Sequence, residues 1–255
     1  MLELRSISKT FWLEKGIFLS KTSPCEALKN ITMKFHKGEI IAVVGESGSG
    51  KTTLARIAAG LLKADRGEVL INGRNAGDYP RNLRAAAVGI AFQDPVASLN
   101  PARSIGRVLK EVIKYRAKVA MNIPDEFKSV EGLLKVFSLD KKTSFVRPGS
   151  LSGGECQRVA LARSFAMFPE YLILDEVTSS LDVSTASGLL NLFKELNKKY
   201  GTTLIFITHD LLLAEIISER IYVMKSGSVV EEGQTQEVFE MPRTEYARKL
   251  KEAII

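Results

Sequence analysis

Cysteine, histidine and tryptophan are scarce in this chain of 255 residues, which has two, two and one of them respectively. Cys25 and Cys156 are too few for a disulfide framework or a zinc site made only of cysteines, and a reducing, cytoplasmic setting is the simplest interpretation. No apolar run approaches the roughly 20 residues that span a membrane. Residues 1–10 lack the apolar stretch of a secretion signal. We therefore expect neither a secreted protein nor a membrane-spanning one.

Charge of one sign does not dominate, since 36 Lys and Arg stand against 29 Asp and Glu, a net charge of +7. The basic residues form no arginine tract and lack the regular aromatic interleaving of single-strand binders. We therefore expect no nucleic-acid partner and interpret the surplus as a solvated surface. Hydrophobic residues make up 45% of the chain and charged residues 25%, which excludes disordered and fibrous classes.

The N-terminal part alternates between apolar and polar residues, and this pattern predicts half-buried strands in a small antiparallel layer. The alternating apolar residues are Leu2, Leu4, Ile7, Ile31, Met33 and Phe35. Residues 69–73 predict another strand that ends in a turn. Residues 12–26 carry Gly16 and Pro24 and are interpreted as a loop between strands.

A different pattern, of uninterrupted apolar runs, begins at residue 40. Runs at 40–44, 171–174, 203–207 and 221–224 predict strands buried on both faces, which is typical of a parallel sheet covered by helices. Helical spacing accompanies these runs, so we expect an α/β core. Residues 94–165 show helical stripes without a comparable strand and are interpreted as a helical insertion.

Residues 45–52, Gly-Glu-Ser-Gly-Ser-Gly-Lys-Thr, match the P-loop spacing between a predicted strand and a predicted helix. Glycines let successive N–H groups turn inward, where they and the helix N-terminus hold phosphate oxygens. Lys51 is expected at the β- and γ-phosphates and the Thr52 hydroxyl at Mg²⁺. A chance glycine-rich turn would lack the strand and helix around it. The nucleotide-binding residues predicted here are Gly45, Ser47, Gly48, Gly50, Lys51, Thr52 and Thr53.

Carboxylates and a histidine follow two of the predicted buried strands. Asp175 and Glu176 follow the strand at 171–174, where ligands bind in α/β sheets. Asp175 suits Mg²⁺, directly or through water, and Glu176 suits a general base that activates water; an acidic turn cap is the alternative. His209 follows a further strand and predicts a γ-phosphate contact, with a structural histidine as the alternative. Asp210 is a predicted helix cap.

A second predicted anion site lies at Leu151-Ser152-Gly153-Gly154-Glu155, at the start of a helix. Ser152 and Glu155 have the spacing of a capping box, and two glycines at a helix N-terminus favour an anion. The alternative is a helix cap and nothing more. Because the P-loop already supplies one site, this helix start would best serve the nucleotide of another molecule.

These motifs together resemble the ATP-binding subunits of ABC transporters over essentially the whole chain. In the family's order they are the P-loop at 45–52, the Q-loop Gln93, the signature at 151–155, Walker B at 171–176, the D-loop at 180–182 and the switch histidine His209. The resemblance implies a P-loop NTPase (RecA-like) core with an antiparallel β subdomain at 1–93 and 166–255. It implies an inserted helical signature subdomain at 94–165.

The resemblance also implies roles for particular side chains. Phe11, with Trp12 as the alternative, would stack on adenine, and Gln93 would sense Mg²⁺ and the attacking water. Ser152, Gly153 and Gly154 would complete the ATP site of the opposite subunit in a head-to-tail dimer, and Asp182 would communicate across that dimer. The departures from the family pattern, which remove no catalytic group, are Val177, Ser180 and Cys156. We interpret Cys156 as a packing residue.

A narrower resemblance, at 93–101 and 238–246, is to the ATPases of oligopeptide, dipeptide and nickel importers. It implies ATP and Mg²⁺ as cofactors, integral-membrane permease subunits, a second ATPase subunit (a related chain or a second copy) and an extracytoplasmic solute-binding protein. The chain would then lie at the cytoplasmic face of the membrane. Glu245 replaces that group's usual histidine, and the cysteine-rich extension of some relatives is missing, so no iron–sulfur cluster is expected.

Three other function classes agree less well with these motifs. A soluble ABC-type ATPase would act on nucleic acid or in cluster assembly, but the long coiled coils and duplicated units of such relatives are missing. A P-loop GTPase would need Asn-Lys-x-Asp, whereas Asn197-Lys198-Lys199 is followed by Tyr200. Neither a GTPase nor a kinase of small metabolites would explain residues 151–155. A nucleotide-binding regulator would not need Glu176 and His209.

Overall fold

The computed structural model describes residues 1–15, 21–119, 123–179 and 181–252. Numbered along the chain, its strands are β1 (Leu2–Lys15), β2 (Lys21–Phe35), β3 (Ile40–Val44), β4 (Arg66–Ile71), β5 (Arg74–Asn75), β6 (Val88–Ala91), β7 (Tyr171–Asp175), β8 (Thr203–Thr208), β9 (Arg220–Lys225) and β10 (Ser228–Gln234). Its helices are α1 (Lys51–Ala58), α2 (Arg81–Ala87), α3 (Pro95–Ser98), α4 (Ile105–Arg116), α5 (Val130–Val136), α6 (Gly153–Phe165), α7 (Val183–Tyr200), α8 (Leu211–Ile217), α9 (Thr235–Glu240) and α10 (Glu245–Glu252). Within these residues, no helix has the length and apolar character that crossing a membrane requires.

The chain forms two compact units. The first comprises Met1–Tyr79 and Ile205–Ile255, and the second comprises Pro80–Leu204. The predicted helical subdomain at 94–165 lies wholly within the second unit, which also contains β6, β7 and α7. Its boundaries as a separate subdomain stay a prediction.

The first unit contains the predicted antiparallel layer, a sheet with the strand order β2-β1-β4-β5. Leu2 of β1 lies opposite Phe35 of β2, and Leu4 lies opposite Met33. These four apolar side chains are buried, because alternate residues of a strand point to the same face. The sequence prediction of this layer is confirmed.

The interpretation of residues 12–26 as a loop is wrong at both ends. β1 continues to Lys15 and β2 begins at Lys21, with Trp12 paired to Pro24 in an antiparallel hairpin. Backbone hydrogen bonds pair the two strand ends. The alternation of apolar and polar residues that predicts strands elsewhere in this sheet is therefore not needed here. β2 is an edge strand of its sheet, where a proline is tolerated. Gly16 lies outside the described residues.

The first unit also contains strands in the order β10-β9-β3, followed by residues 205–208 of β8. β3 runs parallel to β9, with Val44 opposite Val223, and every residue of β3 is buried. Ala42 and Val44 pack in one apolar cluster with residues of α8, α9 and α10. The continuous apolar run at 40–44 therefore has the double-sided burial that its sequence predicts.

The second unit contains a parallel pair of strands, β6 and β7, with Ala91 opposite Leu174. β7 is the predicted buried strand, whereas β6 was missed because it is short and contains glycine. A Cβ at Gly89 would lie 3.0 Å from Pro169 and 3.2 Å from Leu172, so only a small residue fits. The two strands end at the same edge, which fixes where Gln93 and Glu176 emerge.

Arg116 at the end of α4 is a buried cation inside the second unit, with 1% of its surface exposed. Its guanidinium donates hydrogen bonds to the carbonyl of Ala166 at 2.6 Å and to that of Phe127 at 2.5 Å. Ala166 is the C-cap of α6, where the helix dipole favours a cation. Burial lowers the pKa of Arg116. Arg116 thus links α4 to the C-terminal end of α6, the helix that begins at the predicted signature.

Replacing Arg116 by methionine should lower the free energy of unfolding by about 2 kcal/mol, because two buried carbonyl groups lose their donor. Arg107→Met is the matched control, since the Arg107 side chain on the same helix is 71% exposed and should change stability by less than about 0.5 kcal/mol. Denaturant titration measures both. Equal stability of the two variants would contradict the structural role of Arg116.

Candidate functional site

The predicted phosphate loop lies between β3 and α1 in the first unit, and its backbone can be built only with glycine at two positions. A Cβ at Gly45 would lie 2.1 Å from the carbonyl oxygen of Met224, and one at Gly50 would lie 2.4 Å from that of Ala27. Both glycines also have positive φ angles, 152° and 103°. The loop thus packs tightly against neighbouring backbone on its supported side.

The other side of the loop is open. A Cβ at Gly48 would meet nothing within 4 Å, although its φ of 80° still favours glycine. Ser47 and Thr52 are exposed and Thr53 is half-buried at the start of α1. A loop that is packed on one side and open on the other has room for a ligand at the helix N-terminus, where phosphate binds.

Lys51 lies inside this loop with 4% of its surface exposed. Its ammonium donates hydrogen bonds to the carbonyl of Gly45 at 2.6 Å and to that of Glu46 at 2.9 Å. It also lies 3.4 Å from Ser49 Oγ. The loop carbonyls therefore hold the cation that the sequence assigns to the β- and γ-phosphates.

The second unit brings together the predicted Gln93 and Glu176 through Ser179, which the sequence analysis missed. Gln93 Nε2 donates to Ser179 Oγ at 3.3 Å, and Ser179 Oγ donates to the carbonyl of Glu176 at 2.9 Å. Glu176 has a φ of 51°, a left-handed value that is uncommon for residues other than glycine. No sequence pattern pairs these residues, because the strand β6, which runs parallel to β7, was not predicted.

Asp175 ends β7 and has 3% of its surface exposed, whereas Glu176 is half-buried. The buried carboxylate of Asp175 and the side-chain amide of Gln93, both in the second unit, are oxygen donors of the kind that Mg²⁺ takes. Among the described residues, no group of three His, Cys, Asp or Glu side chains could hold a metal. That donor chemistry fits an ion that keeps waters and phosphate oxygens as its other ligands.

The predicted capping box at the signature is confirmed. Ser152 is the N-cap of α6, its N–H donates to Glu155 Oε2 at 2.9 Å, and its hydroxyl accepts from the N–H of Glu155 at 3.3 Å. The Ser152 hydroxyl also donates to Glu155 Oε2 at 2.8 Å, and the bonds that the Ser152 N–H and hydroxyl donate to this carboxylate lower the pKa of Glu155. Ser152 and Gly153 are exposed, and a Cβ at Gly153 would meet nothing within 4 Å.

The start of α7 lies against the signature. A Cβ at Gly154 would lie 3.3 Å from the Thr185 methyl, and Thr185 donates to the carboxylate of Asp182 through its N–H at 3.0 Å and its hydroxyl at 2.7 Å. Those bonds lower the pKa of Asp182. Asp182 therefore caps α7, and its predicted role in communication stays a prediction. Ser180 lies outside the described residues.

His209 and the aromatic candidates lie in the first unit. His209 is exposed after β8, and Asp210 caps α8 as predicted by accepting from the N–H of Leu213 at 3.1 Å. Phe11 is 37% exposed, with Lys9 Nζ 5.7 Å from its ring centroid, and Trp12 is 67% exposed. Both rings are therefore accessible to a ligand. That one of them stacks on adenine stays a prediction.

Cys156 is buried, and burial raises the pKa of its thiol, which confirms the packing interpretation. Tyr246 lies in the segment 238–246, which carries the narrower resemblance, and its hydroxyl accepts a hydrogen bond from the Glu46 N–H of the phosphate loop at 3.2 Å. No local pattern could have predicted that contact, because 200 residues separate its partners.

Comparison with known proteins gives three findings beside the geometry. The family model described as ABC transporter matches residues 28–179. The oligopeptide transport ATP-binding protein OppF of Haemophilus influenzae is 36% identical over 263 residues, which cover 100% of this chain and 78% of OppF. The glutathione import ATP-binding protein GsiA of Salmonella choleraesuis is 35% identical over 100% of this chain and 41% of GsiA.

A solved structure is similar as well. The ATP-binding cassette MJ0796, in a dimeric post-hydrolysis state bound to ADP and Pi, superposes with a TM-score of 0.76. It is 30% identical, over 92% of this chain and 99% of MJ0796. The protein is thus a P-loop NTPase of mixed α/β fold, and the chain belongs to the ABC transporter family. It is an ATP-binding subunit of that family that hydrolyses ATP.

Replacing Glu176 by glutamine should lower the rate of ATP hydrolysis at least about 100-fold, because a general base contributes that much or more. ATP binding should persist, since the loop in the first unit is untouched. Glu170→Gln makes the same chemical change at the exposed opposite end of β7 and should keep wild-type turnover. Phosphate release measures both; normal turnover of the Glu176 variant would remove Glu176 from the base role.

Proposed function

We propose that this chain is the ATPase subunit of an importer, in which ATP-driven pairing of two ATPase subunits moves a peptide-type solute through separate permease subunits. The observation that carries the proposal is the exposed, doubly glycine-bearing N-terminus of α6 in a chain that already has a phosphate loop. The chain therefore presents two anion-binding helix starts. Each chain binds one ATP at its phosphate loop, so the N-terminus of α6 is available to the ATP of a neighbouring subunit.

The phosphate loop binds the triphosphate of ATP through its N–H groups and Lys51. Mg²⁺, which neutralises charge on the transferring phosphate, would be held by Thr52, Gln93 and Asp175. Phe11 covers the adenine. The remaining side chains that the sequence assigns to this nucleotide are Gly45, Ser47, Gly48, Gly50 and Thr53.

Glu176 orients water for attack on the γ-phosphate as general base. Ser179 forms hydrogen bonds with the Gln93 side chain and with the Glu176 carbonyl, so a movement of Gln93 changes the position of Glu176. His209 contacts the γ-phosphate. Loss of that phosphate removes the contacts that favour the closed pair of subunits, and ATP drives closure only through its higher affinity for that state.

The solute assignment rests on the printed functions of the relatives and on the motifs at 93–101 and 238–246. OppF is an oligopeptide transport protein and GsiA a glutathione import protein, so a peptide-type solute is favoured over nickel. The partners would be integral-membrane permeases, a second ATPase subunit and an extracytoplasmic solute-binding protein. The chain would work at the cytoplasmic face of the membrane.

Ser152→Arg should abolish ATP hydrolysis while the single chain still binds ATP, because a bulky cation would cover the exposed helix start. Ser152→Ala is the matched control: it loses the same N-cap, worth about 1 kcal/mol, without covering the glycines. It should therefore keep far more activity. Equal loss in both variants would favour a helix cap with no ligand.

The transporter assignment is tested by purifying the tagged chain from detergent-solubilised native membranes. We expect a permease and an ATPase subunit to co-purify, and mass spectrometry identifies them. Recovery of the ATPase with no membrane subunit would contradict transport and favour a soluble ABC-type ATPase.

A further inference from the structure

The C-terminal helix α10 contacts the phosphate loop through Tyr246. The hydroxyl of Tyr246 accepts the hydrogen bond from the Glu46 N–H, and it also interacts with the Glu46 carboxylate. Tyr246 is 8% exposed, and burial, together with the Glu46 carboxylate, raises its pKa. The hydroxyl is therefore neutral at physiological pH and accepts the N–H bond without bringing a charge to the loop.

The ring of Tyr246 is fixed from two sides. It belongs to the apolar cluster that contains Ala42 and Val44 of β3, the strand that leads into the loop. Lys225 Nζ lies 4.5 Å from the ring centroid, within cation–π range. These two contacts fix the orientation of the ring, which directs the hydroxyl at the loop.

A buried carboxylate anchors the start of α10. Glu231 of β10 accepts hydrogen bonds from the N–H groups of Arg243 and Thr244 at 2.8 and 2.9 Å, and from the Thr244 hydroxyl at 2.7 Å. Thr244 Oγ1 in turn accepts from the N–H of Ala247 at 3.2 Å. These bonds satisfy donors at the beginning of the helix and fix Tyr246, two residues after Thr244.

The peptide groups around Glu46 are held by two side chains. Lys51 donates to the Gly45 and Glu46 carbonyls, and Tyr246 accepts from the Glu46 N–H. The ammonium has only three N–H donors, so bonds from it to phosphate oxygens compete with its bonds to the two carbonyls. The Tyr246 bond does not depend on that competition.

We propose that Tyr246 is a positioning residue for the phosphate-binding loop, whose hydroxyl keeps the Glu46 peptide in place when Lys51 engages ATP. Its hydroxyl binds the loop backbone, so its effect is on ATP affinity and not on the chemical step. The proposal rests on the loop being the phosphate site of the proposed function.

Tyr246→Phe removes only the hydroxyl and keeps the ring. We expect the affinity for ATP to fall about five-fold, the effect of one ordinary hydrogen bond, with a matching rise in KM and kcat within about two-fold of wild type. Tyr222→Phe is the matched control. Its buried hydroxyl bonds to the Lys34 backbone and Arg220, away from the loop, so ATP affinity should stay unchanged.

ATP binding by the full chain is measured by calorimetry, and hydrogen exchange of the Glu46 amide is measured without nucleotide. Exchange should be faster in Tyr246→Phe than in wild type. Unchanged ATP affinity in this variant, or an equal loss in Tyr222→Phe, would overturn the proposal. If wild type binds no ATP, the phosphate-site assignment fails and the proposal with it, while the exchange result still shows separately whether the contact exists.

Discussion

The backbone of the phosphate loop is the constraint on which the site depends. Gly45 and Gly50 bring the chain so close to the carbonyl oxygens of Met224 and Ala27 that no other residue fits without a shift. The turn after β9 adds a direct bond, because the Gly227 N–H donates to the Ser49 carbonyl at 3.0 Å. The loop shape is thus imposed by neighbouring strands before a ligand arrives, which lowers the cost of ordering it on binding.

In the second unit, strand ends and helix caps fix the positions of the site residues. The parallel register of β6 and β7 brings Gln93 and Glu176 to one edge, and Ser179 joins them by hydrogen bonds. Ser152 and Asp182 cap successive helices, and Thr185 lies between them. The first N–H groups of a helix have no partner within that helix. Here they are either capped by a side chain or available to a ligand.

Local patterns in the sequence predict most of this architecture. Burial on both faces makes 40–44 and 171–174 continuous apolar runs, and the capping box at Ser152 is contained in four residues. The pairing of residues 12–15 with 21–24 was missed because backbone hydrogen bonds form it, and these leave no apolar alternation in the sequence.

The remaining contacts were missed for another reason. Arg116 with Ala166 and Tyr246 with Glu46 join residues that are 50 and 200 positions apart. Such contacts are set by tertiary packing, which periodicity and spacing do not encode. Sequence therefore predicts which residues carry the chemistry better than it predicts what holds them in place.

The central claim is that a preformed loop binds nucleotide through its phosphates. The most direct test is to compare the affinities of the purified chain for ATP, ADP, AMP and adenosine. Because loop N–H groups and Lys51 act on the β- and γ-phosphates, affinity should fall most sharply between ADP and AMP, with adenosine binding barely detectable. Similar affinities for ATP and AMP would contradict the account.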